Sequence, residues 1–351
     1  MEKYKAIKPL DHSAMEEAQR YIDGLAKPIG SLGELEKYAV RLAGIRGYMG
    51  CPFRKGGVLV FAADNGVHEE SITPVPQAVT AMQSIGIARG VSGVGVFAKQ
   101  AGSDVFVYNV GIAQPVEHER ITDVNIMRGT NNMVKGPAMS REQCLQAFET
   151  GFQAAVDHAE CDILGIGEMG ICNTTTSSAV LSVLTGLSVE EVTGKGAGID
   201  EEMFARKISC IKKAIAVNQP DQTDVFDVLS KVGGLDLAAM TGAFLGAAYC
   251  ATPVVIDGFI SVVAALCAVR LNPIVADYMF ASHASYEIGY AHAIREIGLQ
   301  PPLHLNMRLG EGSGCPLMFY LLNASLRMTD EMEKLDSVGL NDDTLVDIRE
   351  K

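Results

Sequence analysis

Apolar runs of strand length that stop at polar or glycine-rich turns, each followed by a helix-like stretch, narrow the folds open to this chain more than any other feature. The first, Val58 to Ala63 (VLVFAA), ends in Asp64-Asn65-Gly66. Residues 105–110, 163–166, 254–256 and 274–280 read as further strands, and 178–187, 236–250 and 259–271 as helices. A run that is apolar without alternation predicts a strand covered on both faces, the environment of a parallel sheet. The expected fold class is therefore α/β, with a large parallel sheet and helices on both faces in a Rossmann-like layout. Ligands of such sheets sit beyond the carboxyl ends of the strands. The turns Asp64-Asn65-Gly66, Gly167-Glu168-Met169-Gly170, Asp257-Gly258 and Ser282-His283 should then line one crevice, joined by Glu311.

The two ends of the chain read differently. Residues 11–25 carry apolar positions at helical spacing, Lys27 to Gly33 breaks the helix, and a second helix runs from Glu34 to about Met49. Its apolar residues Leu35, Tyr38, Ala39, Leu42 and Ala43 share a face, so the pair should pack as a small helical unit. In the charged tail from Thr329 to Lys351, Leu335, Val338, Leu340, Leu345, Val346 and Ile348 are irregularly spaced, as in a terminal helix or arm returning to the surface. The expected division is a small helical domain from residues 1–50 and 327–351 and a large α/β domain from 51–326.

Composition excludes several function classes. A net charge of -13 with no basic cluster argues against nucleic acid as a partner, since that affinity rests on neutralising phosphates. The eight cysteines are scattered, with no CxxC and no Cys/His pairing at zinc spacing, which fits reduced thiols in a cytoplasmic protein. No apolar run reaches the roughly 18 residues of a membrane span, and the charged first residues have no apolar core. The expectation is a soluble protein that is not exported.

Four stretches can carry chemistry. In Arg308-Leu309-Gly310-Glu311-Gly312-Ser313-Gly314, between an apolar run (302–307) and a helix-like one (316–326), a carboxylate stands between two glycines at a strand-to-helix turn. That suits a general base, and a buried, unpaired Glu there would have its pKa raised toward neutrality. Alternatively Glu311 caps the next helix. Residues 165–178 (GIGEMGICNTTTSS) place glycines and hydroxyls at a helix start, where free amides and the helix dipole favour an anion, though an ordinary Ser/Thr-rich first turn has the same sequence. Thr193 to Asp200 (TGKGAGID) alternates glycines around a lysine, with Lys207 following, as a phosphate clamp or a surface turn would. In Gly233 to Gly242, Asp236 reads as a cap, and His283 and His304 read as structural. Neither GxGxxG with a later acidic residue nor GK[ST] is present, so neither a dinucleotide site nor a P-loop is supported. The residues alone point to a cytoplasmic α/β enzyme with a phosphorylated small-molecule substrate.

Taken together the motifs resemble the nicotinate-nucleotide:5,6-dimethylbenzimidazole phosphoribosyltransferase family. The matching stretches are KPIGSLGELE (27–36), FAADNGV (61–67), PQAVTA (76–81), GEMGICNTT (167–175), TGKGAG (193–198), GGLDLAAMTGAFLGAA (233–248), VIDGFI (255–260) and RLGEGSG (308–314), in order. The resemblance implies transfer of the phosphoribosyl group of nicotinate mononucleotide to an aromatic base, in cobamide nucleotide-loop assembly, without a cofactor or metal. It implies Glu311 as the base and Glu168 as a second carboxylate beside the ribose. Gly170, Asn173, Thr174, Thr175, Gly194, Gly196, Gly198 and Lys207 would hold the phosphate and ribose, and Thr73, Met82, Leu309 and Gly310 the acceptor.

Departures from the family pattern bear on the acceptor. Asn65, Thr73 and Val75 replace the usual histidine, serine and tyrosine; Met82 stands where a glutamine follows Val-Thr; Cys172 replaces a glycine and Asn109 an aspartate. Loss of that glutamine would remove a polar contact to a second ring nitrogen, so a phenol or p-cresol is an alternative acceptor. The phenolic relatives pair with a paralogue, which leaves homodimer or heterodimer open. A further alternative is a non-catalytic partner subunit.

Overall fold

The computed structural model describes residues 2–196, 198–338 and 346–349. Its centre is a six-stranded, all-parallel sheet of β1 (Gly56–Ala63), β2 (Ser103–Gly111), β3 (Ile121–Asp123), β4 (Ile163–Met169), β5 (Val254–Ile256) and β6 (Met279–Ala281), in the order β3-β2-β1-β4-β5-β6. Every residue of β1 is buried, as the unbroken apolar run requires. The run at 274–280 is mostly not strand: Pro273–Tyr278 is a 3-10 helix and only Met279–Ala281 pairs. Proline at its start removes a ladder donor, and the Asn272 side chain accepts from Ile274 N–H and starts the helix. The run at 302–307 is likewise no strand, since it makes a single bridge, Leu303 to His283.

Thirteen α-helices are found among the described residues: α1 (His12–Asp23), α2 (Glu34–Arg46), α3 (Val79–Ala88), α4 (Gly93–Gln100), α5 (Arg141–Asp157), α6 (Asn173–Thr185), α7 (Val189–Val192), α8 (Glu201–Asn218), α9 (Val225–Val232), α10 (Leu235–Tyr249), α11 (Phe259–Leu271), α12 (Ile288–Ile297) and α13 (Cys315–Glu331). The glycines of the 233–248 motif have a packing role. A Cβ at Gly242 would lie 1.9 Å from the Phe148 carbonyl oxygen, and one at Gly151 would lie 1.7 Å from that of Ala239, so α5 and α10 meet backbone to backbone. No rotamer relieves a clash with backbone. Gly242→Val is expected to destabilise the fold by about 3 kcal/mol, read from the urea unfolding midpoint, whereas a surface substitution such as Gln146→Ala leaves it nearly unchanged.

At the ends of the chain, Ile22 and Leu25 meet Ala39 of α2 and Met328 of α13 in a small cluster apart from the main core. Leu25 bridges Lys334, and Leu335 N–H bonds the Gly24 carbonyl, so the N- and C-terminal parts are joined. Helix α13 runs unbroken through residue 326, where the sequence division was placed. The KPIGSLGELE motif is also structural: Lys27 and Glu36 form a buried ion pair at 2.7 Å, and Glu36 accepts Leu32 N–H. Of the tail, Ile348 N–H bonds the Ile29 carbonyl and Arg349 reaches Asp23. Leu340 and Leu345 of the expected terminal helix or arm lie outside the described residues.

No described helix is long and apolar enough to cross a membrane. All eight cysteines are free thiols, five of them buried.

Candidate active site

The sheet order reverses between β1 and β4, whose next neighbours, β2 and β5, lie on opposite sides. Loops after such strands diverge and leave a crevice at their carboxyl ends. Here it contains an inner cavity of about 400 Å³, lined among others by Gln83, Glu168, Asn173, Phe259, Arg308, Leu309 and Glu311. A smaller recess of about 100 Å³ adjoins it through Gly170 to Thr174 and Gly196 and reaches Lys207.

Glu311 sits in a run of left-handed backbone, with φ of 86° at Gly310, 63° at Glu311 and 86° at Gly312. Such a conformation costs a non-glycine residue roughly 1 kcal/mol, so the surroundings must impose it. Asp257, after β5, does so by accepting Gly312 N–H at 3.0 Å and Gly314 N–H at 2.7 Å. The glycines are required by contact as well. A Cβ at Gly310 would lie 2.4 Å from Glu168 Oε1, and one at Gly167 of β4 would lie 2.5 Å from the Glu311 carbonyl oxygen.

The Glu311 carboxylate is buried but not unpaired. Oε1 accepts Gln83 Nε2–H at 2.5 Å, and Oε2 accepts Val94 N–H at 3.2 Å, at the positive end of α4. The expectation of a carboxyl without partners is thus not met. Nor does Glu311 cap the following helix, whose N-cap is Gly314. Gln83 and the start of α4 were missed in the sequence. Met82, one residue earlier, is 68% exposed and lies outside the cavity lining, because the buried positions of α3 (Thr80, Ala81, Ser84, Ile87 and Ala88) turn residue 82 outward.

Glu168, at the end of β4, is buried beside Asp236 and Asp257. Burial, reinforced by Asp236, pushes its pKa up to about 8, and burial likewise raises Asp236 to about 6 and Asp257 to about 7. Glu168 Oε1 receives Glu311 N–H at 3.4 Å, and Oε2 receives the Asn173 side-chain amide. Asn173 therefore steadies a carboxylate, where the sequence put it among the phosphate ligands. Asp236 is not at the N-cap position of α10, which is Gly234, but one of its carboxyl oxygens accepts Leu237 N–H at 2.9 Å in the first turn of that helix.

The recess is built where two glycine-rich loops meet. Helix α6 starts at Asn173, five residues before the sequence placed it, so Thr174 and Thr175 belong to its first turn. The buried Lys207 of α8 donates to Thr174 Oγ1 at 3.0 Å and to the Gly194 carbonyl at 2.9 Å, and desolvation lowers its pKa to about 8. Gly196 and Gly198 have φ of 59° and 94°. Glu287, also missed in the sequence, faces this loop: its carboxylate accepts Gly196 N–H, a Cβ at Gly194 would lie 2.0 Å from Oε2, and burial raises its pKa against the pull of Lys207. Cys172 takes the left-handed position before α6 with φ of 71° and lines the recess. Thr73 lines the recess too, away from the inner cavity, and its hydroxyl accepts Val75 N–H.

Other expected residues lie apart from the crevice. Asn109 bonds Asp123 and Ile112 N–H in the turn after β2. His304 is exposed, and His283 is buried against Ser282 with its pKa lowered to about 4 by desolvation.

Comparison with known proteins gives the same picture from outside. A family model described as "Phosphoribosyltransferase" matches residues 7–340. The chain is 45% identical over 349 residues to the nicotinate-nucleotide–dimethylbenzimidazole phosphoribosyltransferase of Clostridium perfringens, covering 99% of this chain and 97% of that protein. It is 42% identical over 353 residues to the enzyme of the same name from Clostridium tetani, covering 100% and 98%. Among solved structures, the enzyme so named from Thermus thermophilus superposes with a TM-score of 0.89 at 35% identity, covering 95% of this chain and 99% of that one.

Proposed function

This chain belongs to the nicotinate-nucleotide–dimethylbenzimidazole phosphoribosyltransferase family, and from that premise we propose the reaction its crevice performs. It is a phosphoribosyltransferase of cobalamin biosynthesis. The donor is nicotinate mononucleotide, with its phosphate in the recess at Lys207 and the start of α6 and its ribose between Glu168 and Glu311. The acceptor is 5,6-dimethylbenzimidazole, in the inner cavity beside Gln83, Glu311, Leu309 and Phe259.

One ring nitrogen of the benzimidazole attacks C1′ with its lone pair while the other gives its proton to the Glu311 carboxylate. The bond from C1′ to the pyridinium nitrogen breaks and its electron pair returns to the ring, so nicotinate leaves without acid help. Ionised, Glu168 steadies the positive charge growing at C1′. A cationic pyridinium nucleotide favours that ionisation by attraction. The observation that carries this reading is the meeting, in one crevice at the β1/β4 switch point, of a doubly held carboxylate and a lysine-lined anion recess. Incubation with nicotinate mononucleotide and dimethylbenzimidazole should release nicotinate in step with an α-riboside phosphate; no release would overturn it.

Of the departures behind the phenolic alternative, Asn65, Thr73, Val75 and Met82 among them, the loss of a glutamine at Met82 is met by Gln83, which supplies an amide at Glu311 one position later. The non-catalytic alternative does not fit a chain in which Glu311, Glu168 and Lys207 share one crevice. Gln83 positions the base: Gln83→Ala should lower kcat about tenfold, with the KM for the donor unchanged, by freeing one carboxylate oxygen to rotate from the acceptor. We also propose that two copies pair, supported by the exposed apolar side chains Met82, Val91 and Val96 on α3, α4 and the turn between them. Light scattering at a monomer mass would contradict it.

A further inference from the structure

Beyond the inner cavity lies an outer one of about 680 Å³, lined by residues 193–196, Gly198, Phe204, Tyr286, Ile288, Arg308 and Leu309. It shares Gly196, Glu287, Arg308 and Leu309 with the inner cavity, so the two are continuous. We propose that Arg308 and Tyr286 form a leaving-group subsite that reads the carboxylate of the departing pyridine ring and so selects a nicotinate nucleotide over a nicotinamide nucleotide. This inference rests on the donor reading given above.

Three cations line the crevice among the described residues, and two are engaged. Lys207 spans Thr174 and Gly194, and Lys195 pairs with Glu201 on the surface. Arg308 makes no hydrogen bond or ion pair among the described residues. Its guanidinium carbon lies 4.9 Å over the Tyr286 ring, and that ring is held in place because Tyr286 N–H bonds the Met307 carbonyl at 3.1 Å. Stacking orients the planar fork and leaves its N–H donors free for a carboxylate, which it matches in a bidentate manner.

Stereochemistry puts the leaving ring on this side. A β-nucleotide that yields an α-riboside is displaced with inversion, so entering base and departing ring occupy opposite faces of C1′. With the acceptor inside, against Gln83 and Glu311, the pyridine ring faces the outer cavity. Its apolar edge meets Leu309, Ile288 and Phe204, and the carboxylate meets Arg308, which feels the charge of Glu287 but has no hydrogen-bonded partner among the described residues. Glu287, between the cavities, suits the cationic ring nitrogen and repels the carboxylate, which fixes the ring's orientation.

Steady-state kinetics with saturating dimethylbenzimidazole test this on wild type, Arg308→Gln and Arg308→Lys, with nicotinate mononucleotide and nicotinamide mononucleotide as donors. Arg308→Gln should raise the KM for the nicotinate nucleotide about tenfold, and weaken inhibition by free nicotinate by the same factor. Constants for the nicotinamide nucleotide, taken as KM or as inhibition constant, should stay within about twofold, and Arg308→Lys should recover part of the loss. An equal change for both donors, with thermal unfolding intact, overturns the subsite, as does a wild type that does not discriminate. A wild type that uses neither donor overturns the donor reading itself, before any variant is compared.

Discussion

Glu311→Gln should lower kcat about 10³-fold while the KM for nicotinate mononucleotide and the unfolding midpoint change little. The substitution keeps the shape of the side chain. Its single carbonyl oxygen keeps one of the two bonds, from Gln83 or from Val94 N–H, and the left-handed loop stays in place because Asp257 holds it through Gly312 and Gly314. What is lost is an atom able to take the proton from the second ring nitrogen of the acceptor. The loss falls on the chemical step because neither the recess around Lys207 nor the backbone near Glu168 is touched. Stopped assays of nicotinate release would show the effect. A fall of less than about tenfold would mean the proton leaves by another route and that Glu311 serves only to shape the cavity.

The large features of the fold were legible because they rest on long apolar runs. VLVFAA is buried along its whole length, the turn after β4 lines the crevice, and Asp257 after β5 holds the Glu311 loop in it, while Asp64-Asn65-Gly66 after β1 is not part of the lining. Short strands were harder: β3 has three residues, and most of the run at 274–280 was claimed by a proline-led 3-10 helix. Periodicity cannot register either case. Partners of the site residues were harder again. That Gln83 rather than Met82 faces Glu311 depends on the phase of α3 against the sheet, and a one-residue difference in phase turns a side chain by about 100°. Glu287 and Arg308 entered the crevice through the pairing of residues 284–286 with 303–307, a contact with no local signal in either segment. The side-chain amide of Asn173 is held by Glu168, a pairing that nothing in the local sequence announces.

The pH profile of kcat/KM should be a bell centred near pH 8, with both limbs set by buried groups of the free enzyme. Lys207 gives the alkaline limb. Desolvation has lowered its pKa to about 8, so it is charged below that value and loses its charge as pH rises through it, taking donor affinity with it. Glu168 gives the acid limb. Burial beside Asp236 has raised its pKa to about 8, so it is ionised above that value and becomes neutral as pH falls, and then cannot steady charge at C1′. Each limb should therefore fall about tenfold per pH unit away from the optimum, and a further loss below about pH 6 belongs to the second ionisation of the donor phosphate. Two variants separate the assignments. Lys207→Met should raise the KM for nicotinate mononucleotide about 100-fold, a charge-assisted bond lost from a desolvated site, and abolish the alkaline limb. Glu168→Gln should lower kcat and abolish the acid limb while donor KM stays close to wild type. The crossing of these effects is the decisive reading: an alkaline limb that survives in Lys207→Met places the phosphate outside the recess, and an acid limb that survives in Glu168→Gln removes Glu168 from the reacting carbon.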